Sequence, residues 1–329
     1  MAVINDNFAN SIRLVGPSVN TTGTNVEATG EAGEPNHAAL SFPLNSVWYN
    51  WTAPASGQVE INTFGSNYDT TLAAYQGSGV NSLTSIAGND DSGSLQSRIF
   101  FTASAGQTYQ IAVDGFSDRV GSIALNLDLT LNYTQSGTDN NDSLFGTDAN
   151  DVIRGLAGDD SISGNGGNDY LQGDAGNDSL YGASSGDYID GGADNDTISG
   201  NGGKDTLIGG AGNDLIYGGS DADYILGGAN NDTIYGNGGG DFINSGSGLD
   251  TIWLGNGAAT VVLETGDGSD TINNFQVGQT LFQLGSNLSY SDLTFTDSAD
   301  GAVISVGGDV LSVVTSQTVS VINSAANFV

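Results

Sequence analysis

From residue 142 onward an aspartate recurs at every ninth position, and a Leu or Ile follows two residues behind each one. The acidic column is Asp142, Asp151, Asp160, Asp169, Asp178, Asp187, Asp196, Asp205, Asp214, Asp223, Asp232, Asp241 and Asp250. The apolar column runs from Leu144 and Ile153 to Ile243 and Ile252, so both patterns hold for thirteen consecutive units. Between them lie mostly Gly, Asn and Asp, residues that accept the left-handed backbone of tight turns. Each unit predicts a six-residue turn and a three-residue strand whose middle side chain faces inward. Two units carry the chain once around. The segment therefore predicts a flattened coil of 18 residues, stacked into two parallel sheets at about 4.8 Å spacing. Thirteen units make about six and a half coils. The blocks SISGNGGND, TISGNGGKD and TIYGNGGGD add a 36-residue step. After Asp250 the register fails: Ala259 stands where Asp belongs and Asp270 comes two residues late. That reads as an end cap.

The first 134 residues carry a different pattern. SVWYNWTAP (46–54), VEINTF (59–64), TLAAYQG (71–77), SRIFFTA (97–103), TYQIAVDG (108–115) and SIALNLDLTLNY (122–133) are short β-rich runs separated by turn residues. Their spacing predicts a β-sandwich. Trp48, Tyr49 and Trp51 read as core, with a ligand platform as the alternative. His37, after Pro35, reads as a turn residue. Asp69, Asp90, Asp91 and Asp114 read as turn caps, with a further calcium site as the alternative. Glu31 and Glu34 could form an acid pair, but nothing places a nucleophile beside them. Residues 271–329 lose the repeat, turn apolar and Ser/Thr-rich, and predict a few strands.

Composition narrows the chemistry. The chain has 329 residues, 38 acids against 5 bases, a net charge of −33, one His and no Cys. Such a charge disfavours nucleic acid and anionic membrane surfaces as partners. Without Cys there is no disulfide framework, thiolate metal site or thiol nucleophile. A lone His argues against Ser-His-Asp catalysis, and no HExxH or GxSxG motif occurs. A glycosidase using only carboxylates stays open, because it needs just two acids. No apolar run approaches the ~20 residues of a membrane span, so membrane insertion is not expected. The N-terminus has no basic region followed by an apolar stretch and does not read as a cleavable secretory signal.

Most of the charge lies in one place: residues 137–270 hold 23 acids and 2 bases. One inward Leu or Ile per nine residues is a thin core against the entropy of ordering them, and the acidic columns repel themselves. A bound cation answers both problems. Carboxylates and turn carbonyls are hard oxygen ligands, which suit Ca2+. Asp142, Asp160, Asp178, Asp196, Asp214, Asp232 and Asp250 line one edge; Asp151, Asp169, Asp187, Asp205, Asp223 and Asp241 line the other. One ion between successive turns gives about eleven, whose charge nearly balances the segment. An outward aromatic ladder accompanies them: Phe145, Tyr181, Tyr217, Tyr235 and Trp253 on one sheet, and Tyr170, Tyr188, Tyr224 and Phe242 on the other. It reads as cross-strand packing, with a docking face for a glycan, the N-terminal domain or a second copy as the alternative.

The turns GNGGND (164–169), GDAGND (173–178), GNGGKD (200–205) and GGAGND (209–214) closely resemble the RTX, or hemolysin-type, calcium-binding nonapeptide. GASSGD (182–187), GGADND (191–196) and GGSDAD (218–223) depart from it through Ser185, Asp194 and Asp221. Residues 1–134 resemble the bacterial pre-peptidase C-terminal (PPC-like) domain through NDNFAN, GEPNH, SVWYNWTAPASG, YDTTLAAYQG, NDD and TYQIAVDG. The tail resembles the C-terminal type I secretion signals of RTX proteins. Together these resemblances imply an all-β chain. A jelly-roll-like sandwich (1–134) precedes a right-handed parallel β-roll (137–270) and a short β-rich cap (271–329). They imply a secreted, calcium-binding, non-enzymatic protein at the cell surface or in the extracellular matrix, exported by type I machinery. The alternative is an accessory or degenerate part of a secreted hydrolase.

Overall fold

A computed structural model describes residues 3–38, 44–92, 95–266, 268–285 and 288–329. The chain is all-β and divides into two compact units, 1–132 and 133–329.

In the first unit, one sheet orders its strands Ile12–Leu14, Val47–Thr52, Thr108–Gly115, Thr70–Gln76 and Thr84–Asn89. The other orders Ser18–Thr24, Ser122–Thr130, Gly57–Asn62 and Arg98–Ala103. Phe101 of the second sheet meets Tyr109 of the first at 4.9 Å between ring centroids, so the sheets face each other across a shared core. Trp48, Tyr49 and Trp51 are fully buried. They are core and not a ligand platform. The Trp51 indole N–H donates to the Gly16 carbonyl at 2.9 Å. Trp48→Ala should cost this unit about 3–5 kcal/mol, read by denaturant titration.

His37 lies in a bend, as expected, but inside the core. It is fully buried, with Nδ1 2.7 Å from the Tyr75 hydroxyl, Nε2 3.0 Å from Glu34 Oε1, and its ring edge-on to Trp48. Glu34 also accepts the Glu31 N–H, and Glu31 accepts the Phe8 N–H. The two glutamates thus fasten the N-terminal segment to the core.

The second unit is a solenoid of about eight turns across residues 135–284. Each strand pairs in parallel with the strand 18 residues on: Ile162 with Leu180, Leu180 with Ile198, Ile189 with Leu207. The inward Leu and Ile column is almost wholly inaccessible to solvent from Ile153 to Ile252. Pairing reaches beyond the expected three residues, because turn residues join the ladder, as in Leu156 with Asp174. Strands are therefore five or six residues long, such as Ser161–Asn165 and Tyr170–Ala175.

Coiling also outlasts the aspartate register. Thr251 pairs with Thr271 and Ile252 with Ile272, a step of twenty residues. The two extra residues leave the strand alignment intact. Asn256–Leu263 then pairs with Thr280–Leu284, giving more coils than the repeat predicts. The antiparallel strands Leu293–Asp297, Gly301–Val306 and Asp309–Thr315 follow, and their Ile304 and Val314 join the solenoid's own apolar core.

Candidate metal centre

The two carboxylate columns lie along the turns of the solenoid. From Asp160 to Asp250 every member is at most 4% exposed. One carboxylate oxygen of each Asp has a fixed task. Oδ1 of Asp178 accepts the backbone N–H of Asp160 at 2.7 Å, Oδ1 of Asp196 that of Asp178 at 2.8 Å, and Oδ1 of Asp205 that of Asp187 at 2.8 Å. This bond from one coil to the next repeats on both edges.

The other oxygen is stranded. Oδ2 of Asp160, Asp169, Asp178, Asp187, Asp196, Asp205, Asp214, Asp223 and Asp232 is buried with no hydrogen-bond partner. The surroundings offer it further oxygen. A Cβ placed on Gly191 would lie 2.7 Å from the Gly209 carbonyl oxygen and inside van der Waals contact of Asp196 Oδ2. The same convergence occurs over Gly155, Gly173, Gly200, Gly209, Gly218 and Gly227. A buried carboxylate oxygen facing a carbonyl oxygen, with no donor between them, is an unfavourable pairing that a hard cation reverses. The glycines are required here because any side chain would fill the cradle. Among the described residues no three acidic or His side chains converge. A cation in these turns would thus be held by carboxylates and carbonyls together.

Burial sets the electrostatics. Desolvation pushes the carboxyls of Asp169, Asp178 and Asp223 up to about 6, those of Asp187 and Asp241 to about 7, and those of Asp196, Asp205 and Asp232 to about 8. The backbone N–H donated to each Oδ1 opposes this rise. Without a cation Asp196, Asp205 and Asp232 resist ionisation at neutral pH, and the others ionise only as neutrality is approached.

The irregular turns keep the pattern. Asp194 adopts φ +74° in place of Gly, and Asp221 accepts the Gly203 N–H of a neighbouring turn at 3.1 Å. Asp187, Asp196 and Asp223 keep a stranded Oδ2 there. Asp270 re-enters the column: its Oδ1 accepts the Asp250 N–H at 3.2 Å, and its Oδ2 accepts the Ser245 hydroxyl at 2.9 Å.

An asparagine ladder escaped the sequence reading. On the first edge the residue before each Asp donates its N–H to the side chain one coil earlier: Asn195 to Asn177, Asn213 to Asn195, Asn231 to Asn213. Its signal is an Asn recurring every eighteen residues from Asn177 to Asn231.

Among the described residues no three of the acids predicted in the first unit converge. Asp114 is buried and caps backbone, accepting the N–H groups of Leu44, Asn45 and Gly115. Asp69 and Asp90 each bury one oxygen without a partner, and burial followed by the nearby Asp91 carboxylate raises both.

The aromatic ladder stacks. Tyr217 and Tyr235 lie 5.0 Å apart at 11°, Tyr224 and Phe242 4.8 Å at 4°, and Tyr170 and Tyr188 5.1 Å at 7°. Rings stacked along the coil cover each other's faces, and Tyr170 and Tyr188 are buried rather than outward, which favours cross-strand packing over a sugar platform. Tyr217→Ser combined with Tyr235→Ser should cost about 1–2 kcal/mol by thermal melting and leave the sedimentation coefficient unchanged.

A parallel solenoid with donor-free oxygen cradles on its turns belongs to the cation-binding β-solenoids. More particularly, residues 136–261 are RTX calcium-binding nonapeptide repeats, matched in four copies at 136–171, 163–198, 199–234 and 226–261. Residues 45–115 match the bacterial pre-peptidase C-terminal domain. Among solved structures, the extracellular lipase LipA from Serratia marcescens is 18% identical with a TM-score of 0.21, covering 57% of this chain. The chain spans 40% of that lipase's length. The catalytic domain of a GH87 alpha-1,3-glucanase, solved with tetrasaccharides, is 10% identical with a TM-score of 0.19, covering 82% of this chain and 86% of its own. No curated protein matches the chain. No helix of the described residues is long and apolar enough to cross a membrane.

Proposed function

We propose that this is a secreted RTX protein whose solenoid folds when Ca2+ fills the carboxylate columns, and which acts by binding or structure rather than catalysis. The observation that carries this reading is the run of buried Oδ2 atoms from Asp160 to Asp232 with no donor in reach. At low cytosolic calcium the acidic repeats repel one another and the chain stays open for export through type I machinery, guided by the tail at 271–329. Outside, calcium binds only the folded form. At ten times Kd each ion adds about 1.4 kcal/mol, so a full array matches the whole stability of an ordinary domain. A non-catalytic role is supported by His37, the one imidazole of the chain, whose ring nitrogens are both engaged inside the core.

Circular dichroism of the full chain at neutral pH provides the test. Millimolar Ca2+ should give a strong β spectrum, and EGTA should remove the solenoid's share of it. Identical spectra would exclude calcium-driven folding.

A further inference from the structure

The first turn on each edge is built differently from all that follow. In every later unit through Asp250, the residue four before the Asp has a positive φ: Leu156 +90°, Asn165 +70°, Asp174 +76°, Ala183 +100°, and so on to Gly246 +88°. The equivalent residues of the first two units are Thr138 and Thr147, and neither adopts that conformation. A β-branched side chain disfavours it strongly. The consequence reaches the carboxylate. Thr138 turns both its N–H (2.6 Å) and its hydroxyl (2.8 Å) onto Asp142 Oδ2. Thr147 does the same to Asp151 Oδ2, at 2.6 and 2.9 Å. Each hydroxyl also accepts an N–H two residues on, from Asn140 and Ala149. The oxygen left stranded in later turns is satisfied twice over in these two.

We infer that Thr138 and Thr147 close the first turn of each edge as a metal-free cap, so that calcium fills nine sites between successive turns rather than eleven. Five run from Asp160/Asp178 to Asp232/Asp250 on one edge and four from Asp169/Asp187 to Asp223/Asp241 on the other, each beginning at an Asp whose Oδ2 is stranded. A cation at Asp142 or Asp151 would have to displace two donors from an oxygen that already has its hydrogen bonds. The caps give the solenoid a starting coil whose geometry is set by hydrogen bonds alone, in the place where a repeat array needs an atypical end unit. This inference rests on the calcium reading of the columns.

Bound calcium per full-length chain, measured by equilibrium dialysis against 45Ca2+, separates the possibilities. Wild type and the Thr138→Ser/Thr147→Ser pair, which keeps both hydroxyls, should bind nine ions. Thr138→Gly/Thr147→Gly, which readmits the positive φ and removes the hydroxyls, should bind eleven. Eleven ions on wild type would overturn the caps, as would nine on the Gly pair with its β spectrum intact. Should the Gly pair not fold, the wild-type count decides alone: nine upholds the caps and eleven removes them. No bound calcium on any form would instead overturn the calcium reading beneath them.

Discussion

In chelator at about pH 7.5 the solenoid unit should be unfolded, and acidification to about pH 4.5 should refold it with no calcium present. Eight column carboxyls are held by burial at about 6 to about 8 in the folded chain. An unfolded Asp titrates near 3.9. The folded state therefore binds more protons than the unfolded state between these limits, and its stability falls as pH rises through them. The contribution is complete below about pH 4 and is lost in steps as Asp169, Asp178 and Asp223, then Asp187 and Asp241, then Asp196, Asp205 and Asp232 are forced to ionise. Calcium reverses the slope, because it binds the carboxylates in their ionised form and competes with protons. Melting curves from about pH 4 to 8, with and without calcium, should cross. Hydrogen exchange should show protection of residues 152–247 in acid chelator. A chain that stays disordered in chelator across this range would show that proton and metal are not interchangeable in these turns.

The sequence revealed the solenoid wherever the constraint was on a side chain's identity. An inward Leu or Ile and a ligating Asp admit few substitutes, so their nine-residue period is visible by inspection. It revealed less where the constraint was on the backbone. The left-handed position four before each Asp is held by Leu156, Asp174, Ala183 and Asn201 as well as by Gly, and no residue type marks it. Its exceptions, Thr138 and Thr147, were readable through β-branching, yet they look like ordinary turn residues until the φ values beside them are known. Asp270 stood in view two residues late and read as an end cap, because the strand pairing that absorbs the extra residues leaves no mark in the sequence. His37 was hidden because Tyr75, one of its two partners, lies 38 residues away. In the first unit, Val47–Thr52 buries consecutive side chains on both faces, so alternation could not separate the core from a ligand face.

Replacing Asp196, Asp205 and Asp232 together by Asn should move stability in opposite directions with and without calcium. Asn is nearly isosteric, and its Oδ1 can still accept the N–H groups of Asp178, Asp187 and Asp214, each at 2.8 Å or slightly longer in the native chain. Its Nδ2 would occupy the position of the stranded Oδ2, which for Asp196 and Asp205 faces the carbonyls of Gly209 and Gly218. There it becomes a donor where the native carboxylate oxygen has no partner. In chelator at neutral pH the fold must hold these carboxyls protonated, well above their ordinary range; the substitution removes that cost and supplies three hydrogen bonds. Stability should rise by about 1–3 kcal/mol per site, the usual penalty of a buried polar group left unpaired. In calcium the same change weakens or removes three ions, each contributing about 1.4 kcal/mol at ten times Kd, so the melting temperature should fall. Paired thermal melts of wild type and the triple variant, in EGTA with enough stabilising osmolyte to keep the wild-type solenoid folded and in millimolar Ca2+, give all four values. A loss of stability in both media would mean that these carboxylates serve as hydrogen-bonding groups of the turn. Opposite signs follow only if the folded chain leaves their outer oxygens in need of a cation.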